Sequence, residues 1–421
     1  MEHEIDILVK NAIFCPDDST QAGYRRRIRE MAAAQGIYPA SIQGLYAAAG
    51  KGLYHGKSVP AINIRGITYQ VARAVFKAAL VHQVGAFIFE IARSEIGYTA
   101  QRPDEYAVCV LAAAVREGFR GPVFLQGDHF QVNAKIYQAG PDSELDAIRD
   151  LIREAVAAGF FNIDIDASTL VDLRQSSLEE QQESNFTVTA DVTEFIRQIE
   201  PPGTTISVGG EIGEVGKRNS TVADLRAFMS GYLERLGPGK TGISKISIQT
   251  GTKHGGVVMP DGSLVKVKVD FETLERISES ARREYGLAGA VQHGASTLPD
   301  TAFDNFPKVN TVEVHLATGF QNIIYDSPYF PPDLLARIHA HLWDKYRDEK
   351  KPEDTEDQFL YKTRKKAFGD FKGELWDLPP ENLEKIRDTL EERFALLFQK
   401  LGVKDTVALV NGYVAETPSI G

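Results

Sequence analysis

From residue 58 onward, short apolar runs alternate with longer segments in which apolar residues recur every three or four positions. The short runs are rich in β-branched and aromatic residues, which favours strands, and the longer segments have the period of amphipathic helices. Helical segments of this kind include TYQVARAVFKAALVHQVG and SELDAIRDLIREAVAAGF. We predict strands in eight runs: SVPAINI, GAFIFEIA, GPVFLQGD, FFNIDIDA, TTISVGGEI, ISKISIQTG, LAGAVQHG and NTVEVHLA.

Eight alternations of strand and helix predict an α/β fold, a (β/α)₈ or TIM barrel, over residues 58–327. The alternative is an open doubly wound sheet of eight strands. It is disfavoured because no G-x-G-x-x-G fingerprint follows a strand and the sequence has no P-loop. Residues 1–57 are predicted to form an N-terminal helical extension. Residues 328–421 are predicted to form a charged C-terminal helical extension, packed on the barrel or on a second subunit, whose charge run is interpreted as solvated surface.

Composition and charge argue against several classes of protein. The 421 residues carry a formal charge of −11, which gives no support to a nucleic-acid or anionic-membrane partner. Two widely spaced cysteines, Cys15 and Cys109, argue against a disulfide scaffold and against a cysteine-rich zinc site. No apolar run reaches about 18 residues, and the acidic N-terminus MEHEIDILVKNA lacks the regions of a signal peptide. A cytoplasmic location is therefore expected.

Ionisable and polar residues collect at the ends of the predicted strands, where barrels assemble their active sites. They are Asn63 and Arg65 after the first strand, Asp128 and His129 after the third, Asp164 and Asp166 after the fourth, Glu211 and Glu214 after the fifth, Lys253 and His254 after the sixth, His293 and Ser296 after the seventh, and Glu313 and His315 on the eighth.

Three of the nine histidines, His129, His254 and His293, end different strands. A single histidine in such a place is more often structural, but three at one rim predict a catalytic divalent metal site. Neighbouring carboxylates would orient these ligands or bind a second metal. Asp128 can exchange a proton with a reacting oxygen, or it can simply orient a neighbouring group. Three imidazoles favour Zn²⁺, with Co²⁺, Mn²⁺ and Fe²⁺ as alternatives.

Glycines follow the last three strands, at Gly255–Gly256, Gly294 and Gly319. Loops after the last strands of a barrel often bind phosphate through backbone N–H groups, and glycine lets the anion approach closely. Ser296 and Thr318 would add hydroxyl donors. The alternative, that these glycines only make tight turns, stays open at this point.

Five motifs in chain order, LQGDHFQVN, FNIDIDAS, VGGEIGEVG, GTKHGG and QHGAST, resemble those of the class II, metal-dependent fructose-bisphosphate aldolases. The resemblance spans about residues 58–325. It implies cleavage and formation of a phosphorylated ketose, giving dihydroxyacetone phosphate and an aldehyde, through a metal-stabilised enediolate. It implies proton transfer by Asp128, metal binding by His129, His254, His293 and Glu211, and substrate or phosphate binding by Asp166, Gly255, Gly294 and Ser296. Their places at the predicted strand ends add His315 and Glu214 as further catalytic candidates. The same rule adds Asn63, Arg65, Lys253 and Thr318 as substrate- or phosphate-binding candidates.

Two positions depart from that pattern. His315 stands where the family usually has asparagine, and Asn219 stands near the place of its catalytic loop glutamate, with Glu214 as the nearest acid. The segments GDHFQVN and DIDAS also resemble the tagatose-bisphosphate aldolase accessory-subunit family, which includes non-catalytic partners and sugar epimerases. The alternatives are therefore a metal-dependent ketose or ketose-phosphate epimerase or isomerase, and a non-catalytic partner subunit. We expect a phosphorylated sugar as ligand and a homo-oligomer.

Overall fold

The computed structural model describes residues 2–213, 218–251 and 268–414. Within these ranges nine strands form one parallel sheet in the order β1-β4-β3-β2-β9-β8-β7-β6-β5, and β4 also pairs with β5. That pairing closes β2–β9 into an eight-stranded parallel barrel. The predicted (β/α)₈ fold is confirmed, and the open-sheet alternative is wrong. The strands are β1 (Ile37–Pro39), β2 (Val59–Asn63), β3 (Ile88–Ala92), β4 (Gly121–Gln131), β5 (Asn162–Asp166), β6 (Ser207–Glu211), β7 (Lys245–Ser247), β8 (Ala290–Gln292) and β9 (Glu313–Leu316).

Helices surround the barrel, and their ends follow local sequence signals. Ser177 and Thr221 make capping boxes at the starts of the helices Leu178–Ile199 and Val222–Leu236, and Gly159 ends the helix Pro141–Ala158 in the left-handed conformation. The barrel helices are α4 (Thr68–Val81), α5 (Arg93–Tyr98), α6 (Pro103–Glu117), α7 (Ala134–Ala139), α8 (Pro141–Ala158), α9 (Leu178–Ile199), α10 (Val222–Leu236), α11 (Phe271–Tyr285), α12 (Asn305–Lys308) and α13 (Thr318–Tyr325), with 3₁₀ helices at Ser168–Leu170 and Asp300–Ala302.

The N-terminal segment contains α1 (Glu2–Phe14), α2 (Asp18–Ala34) and α3 (Gln43–Gly50), together with the short strand β1. The sequence predicted helices alone here. The strand β1 follows Gly36, which has a φ of +69°, and pairs with Gly121–Val123 at the start of β4, outside the closed ring. Three residues are too few to display a strand period, which explains why the pattern did not predict it.

The C-terminal segment packs on the barrel. The helix Pro380–Lys400 lies along α4 and buries Leu390, Phe394 and Phe398. The phenyl ring of Phe398 lies 5.8 Å from that of Phe87, just before β3. None of the helices in the described ranges is long and apolar enough to span a membrane. The C-terminal helices are α14 (Pro332–Tyr346), α15 (Glu356–Thr363), α16 (Ala367–Asp370), α17 (Lys372–Trp376), α18 (Pro380–Lys400) and α19 (Val407–Tyr413), with 3₁₀ helices at Arg347–Glu349 and Arg364–Lys366.

Candidate active site

A β-bulge brings two neighbouring side chains, Asp128 and His129, to the same cavity. In a regular strand, adjacent side chains point to opposite faces of the sheet. Here the register between β4 and β5 shifts by one residue between Gly127 and Phe130, and His129 has a φ of +40°. Such a conformation is uncommon for a residue other than glycine and costs about 1–3 kcal/mol. The bulge therefore re-aims His129 towards the mouth of the barrel.

The imidazoles of His129 and His293 face each other, with Nε2 of the first 3.0 Å from Nδ1 of the second. The outer nitrogen of each ring has its own partner. Nδ1 of His129 is 3.1 Å from a carboxylate oxygen of Asp166 and 3.1 Å from one of Glu211. Nε2 of His293 is 2.9 Å from the Ser247 hydroxyl. Outer contacts of this kind fix the orientation of imidazoles that bind metal.

These side chains fit a divalent cation. His129, His293 and Glu211 each offer a ligand atom, and the three atoms lie within 4.8 Å of one another. Because metal–nitrogen bonds of zinc sites are about 2.0–2.1 Å long, one cation can bind two nitrogens at the observed separation. Burial disfavours a proton on His129, yet the charges of Asp128 and Glu211 raise its pKa well above the usual range. The negative charge that attracts this proton also attracts a cation.

The cavity beside the two imidazoles has a volume of about 270 Å³ and opens at the carboxyl ends of the strands. Asp166 and Glu211 lie next to His129 rather than among the residues that line the cavity. Glu214, Lys253, His254 and Gly255 lie outside the described residues. The residues predicted from the sequence that line it are Asn63, Arg65, Asp128, His129, His293, Gly294, Ser296, His315 and Thr318.

His315 lies among carboxylates. Its Nδ1 is 3.0 Å from Glu90 and 3.3 Å from Asp128, and its Nε2 is 2.6 Å from Glu313. Neither ring nitrogen makes a well-directed hydrogen bond within the described residues. Burial opposes its protonation, but the contacts with Asp128 and Glu313 raise the pKa of His315 well above the usual range. An imidazolium at this position can donate a proton into the cavity.

A buried cation lies beneath His315. The ammonium group of Lys245 on β7 is 2.9 Å from Asp164, 2.5 Å from Glu313 and 2.8 Å from the amide oxygen of Gln126. Barrel interiors are usually filled by bulky apolar side chains, so this polar layer is unusual. Asp164, a strand-end residue in the sequence, contacts this cation and does not line the cavity.

Sequence reasoning missed Glu90, Glu95, Lys245 and Lys365. A signal existed for two of them, because Glu90 and Lys245 are lone charges within otherwise uncharged strands, GAFIFEIA and ISKISIQTG. Glu95 accepts hydrogen bonds from Arg65 Nε at 2.7 Å and from Asn63 Nδ2 at 2.6 Å, and so orients two predicted residues. Asn219, the second position that departs from the motif pattern, donates a hydrogen bond to Asp270 and does not line the cavity.

Comparisons with known proteins agree with this fold. The family model of class II fructose-bisphosphate aldolases matches residues 42–371. No curated protein sequence matches the chain significantly.

Three similar solved structures share this fold. All are less than 20% identical to this chain and are therefore informative about the fold alone. A fructuronate-tagaturonate epimerase from Cohnella laeviribosi, complexed with glycerol, has a TM-score of 0.62 at 11% identity, over 91% of this chain and 86% of that one. A probable tagatose 6 phosphate kinase from Sinorhizobium meliloti 1021 has a TM-score of 0.57 at 15% identity, over 85% and 94%. A fructose-bisphosphate aldolase from Campylobacter jejuni has a TM-score of 0.51 at 19% identity, over 88% and 97%.

Proposed function

The chain belongs to the class II fructose-bisphosphate aldolase family, and on that premise we propose that it is a metal-dependent aldehyde-lyase. Its substrate would be a phosphorylated ketose of the fructose 1,6-bisphosphate type, cleaved to dihydroxyacetone phosphate and an aldehyde. The observation that carries this proposal is the convergence of Asp128, His129 and His293 on one cavity at the carboxyl ends of the strands.

The residues that would hold the cation are His129, His293 and Glu211. The family resemblance adds His254, which lies outside the described residues. Zn²⁺ is the first candidate for a set of imidazoles. When bound, the cation supplies Lewis-acid stabilisation of the negative charge that develops on the ketose oxygens as the carbon–carbon bond breaks. Asp166 and Glu211 hold the outer nitrogen of His129 and so keep the inner nitrogen aimed at His293.

Asp128 is the group that moves the proton. Its carboxylate lines the cavity, 3.5 Å from the Asn63 amide and 3.3 Å from His315 Nδ1. In the direction of cleavage it would accept the proton of the substrate hydroxyl that becomes the aldehyde oxygen, and in the direction of condensation it would return that proton. Asn63 orients the carboxylate for both directions.

Replacing this proton acceptor tests the proposal. Asp128→Asn keeps the shape of the side chain but removes its basicity, so triose release from fructose 1,6-bisphosphate should fall roughly 10²–10⁴-fold. Metal content, measured by mass spectrometry of the purified protein, should stay at the wild-type level, whereas His293→Gln should lose metal and activity together. Asp142→Asn, an exposed carboxylate on α8, is the matched control. Wild-type turnover in Asp128→Asn would contradict the assignment.

A second function, epimerisation of a ketose or its phosphate, is favoured by one observation. His315 and Asp128 are two proton-transfer groups on the same cavity, and His315 makes no well-directed hydrogen bond within the described residues. Inverting a carbon centre requires a proton to be removed and returned, or a bond to be broken and remade, which two such groups can serve. Product analysis separates the functions, because an aldolase releases a pair of shorter carbonyl compounds and an epimerase yields a stereoisomer of its substrate.

A further inference from the structure

Glu90, on β3, is a carboxyl group of the cavity to which the proposed function gives no role. Its side chain is 1% exposed and lines the cavity together with Asp128. One of its oxygens, Oε2, accepts a hydrogen bond from Gln126 Nε2 at 3.0 Å. The other, Oε1, is buried and has no hydrogen-bond partner within the described residues. Because burying a carboxyl oxygen without a partner costs free energy, such an atom indicates a functional role.

The carboxyl group of Glu90 is held beside that of Asp128. The Nδ1 atom of His315 lies 3.0 Å from Glu90 and 3.3 Å from Asp128, so the two carboxyl groups flank one nitrogen. The hydroxyl of Tyr106 fixes the backbone by donating to the Glu90 carbonyl at 2.7 Å. The ring of His315 packs on that of His293, with ring centres 4.0 Å apart. A substrate that contacts Asp128 and His293 therefore lies next to Glu90.

Three carboxyl groups line the cavity within the described part of the chain, those of Glu90, Glu95 and Asp128. Asp128 takes the hydroxyl proton in the proposed function. Both oxygens of Glu95 accept hydrogen bonds from cavity side chains, at 2.7 Å and 2.6 Å. His315 has a carboxylate beside each ring nitrogen, Glu90 at Nδ1 and Glu313 at Nε2, and would have to turn away from one of them. Only Glu90 Oε1 is left for a second proton transfer among these carboxyl groups.

Cleavage of a ketose needs such a second proton transfer. When the carbon–carbon bond breaks, its electron pair stays on the ketose-derived fragment as an enediolate, and one carbon of that fragment must gain a proton to give the ketone product. We propose that Glu90 is the catalytic acid that delivers this proton, and the base that removes it when the reaction runs towards condensation. This inference rests on the proposed function, because it takes the intermediate to be an enediolate.

The protons balance over one turnover. The O–H bond of Glu90 breaks as the C–H bond of the product forms, while Asp128 holds the proton of the substrate hydroxyl. Asp128 then gives its proton to water and Glu90 takes one from water, so no oxidant, reductant or net proton is needed. Burial and the negative charges of Asp128 and Glu313 raise the pKa of Glu90 to about 8, against the opposing effect of His315. Such a pKa suits transfer in both directions near neutral pH.

Hydrogen exchange into dihydroxyacetone phosphate tests this step apart from cleavage, because exchange needs no aldehyde. In deuterium oxide, nuclear magnetic resonance should show that the zinc-loaded wild type exchanges a hydrogen of the hydroxymethyl carbon. Glu90→Gln should slow the exchange roughly 10²–10⁴-fold, yet still release the aldehyde from fructose 1,6-bisphosphate in a single turnover. Asp128→Asn should do the opposite and exchange hydrogen without releasing triose. Glu353→Gln, at an exposed position, is the matched control and should do both.

A merely structural role of Glu90 gives a different result. In that case Glu90→Gln would slow exchange and aldehyde release together, and this outcome, or exchange at the wild-type rate, overturns the assignment. Glu90→Asp keeps an acid on a shorter side chain and should recover part of the exchange, and thermal melts show whether each variant is folded. Lys365, from the C-terminal segment, also lines the cavity. Exchange that is lost in Lys365→Met but kept in Glu90→Gln would assign the proton to Lys365 instead.

The outcomes separate this inference from the proposed function. Glu90-dependent exchange in a protein that releases no triose keeps the role of Glu90 and contradicts the aldolase proposal. Triose release by a wild type that exchanges no hydrogen keeps the aldolase and overturns the role of Glu90. A wild type that does neither contradicts both.

Discussion

At the scale of single residues, the polar barrel interior is held together by one cation. The side chain of Lys245 is 1% exposed and contacts the carboxylates of Asp164 and Glu313. Burial disfavours its charge, but both carboxylates favour it and raise the pKa of Lys245 above the usual value. A buried ion pair adds little net stability compared with apolar packing, yet removing one partner leaves uncompensated charge in the interior. The layer beneath His315 therefore depends on Lys245.

Lys245→Met should lower the free energy of unfolding by about 3–5 kcal/mol, because two buried carboxylates lose their cation. The matched control is Lys240→Met, which removes a lysine paired with Glu194 where both side chains are more than 40% exposed. Exposed pairs of that kind contribute about 0–1 kcal/mol. Urea denaturation of both variants measures the difference, and equal effects would contradict the role assigned to Lys245.

Glu90 should make stability fall as pH rises. Burial and the charge of Asp128 raise its pKa from 4.5 to about 8. Between these values the folded chain binds a proton at Glu90 that the unfolded chain has lost. This contribution is full below the lower value and disappears as pH approaches the upper one. From about pH 5 to about pH 8, the free energy of unfolding of the wild type should therefore decline relative to that of Glu90→Gln.

Urea denaturation across that pH range, with a chelator present to remove metal linkage, measures the two slopes. Glu353→Gln, an exposed position, is the control and should keep the slope of the wild type. If the free energies of unfolding of the wild type and Glu90→Gln change in parallel with pH, Glu90 titrates in the same way in the folded and the unfolded chain, which would contradict this prediction.

At the scale of elements, the eight barrel strands were predictable because each is a short apolar run that ends in polar residues. The cavity residues at those ends, such as Asn63 and His293, followed from the same rule. The bulge at His129 was not predictable from the sequence, because a strand period places Asp128 and His129 on opposite faces of the sheet. Only the pairing with β5 shows the extra residue. Lys365 was not predicted either, because a charged run in the C-terminal segment is interpreted as solvated surface until its packing is known.

The contact between α16 and the loop after β2 predicts that Gly66 does not tolerate a larger side chain. Gly66→Ala places a methyl group inside the ring of Phe368, which is 2% exposed. Overpacking of this kind should cost about 1–3 kcal/mol in the free energy of unfolding. Gly373→Ala on α17 meets no atom within 4 Å and should be neutral or slightly stabilising. Thermal melts of both variants give the comparison, and equal melting temperatures would contradict this packing.

At the scale of the whole molecule, the terminal segments and the barrel share contacts on several sides. Trp376 on α17 packs against Phe14 of α1 and stacks on Tyr69 of α4, with ring centres 5.6 Å and 5.9 Å apart. In a further contact, the Ser58 N–H just before β2 donates to the carbonyl of Leu401 at 2.9 Å. Extensions joined to the barrel in this way should have no independent stability, although the sequence pattern divides the chain at residues 57 and 327.

The two tryptophans of the chain, Trp343 and Trp376, both lie in the C-terminal extension, so their fluorescence reports on that segment. Circular dichroism in the far ultraviolet reports on all helices and strands. If the extension and the barrel unfold as one cooperative unit, the two signals should give the same urea midpoint. Phe398→Ala should lower the free energy of unfolding by about 3–5 kcal/mol, because a fully buried ring is removed. Both urea midpoints should therefore fall equally. A fluorescence transition that precedes the dichroism transition would instead show that residues 328–421 unfold as a separate domain, and Lys365 would then leave the cavity before the barrel melts.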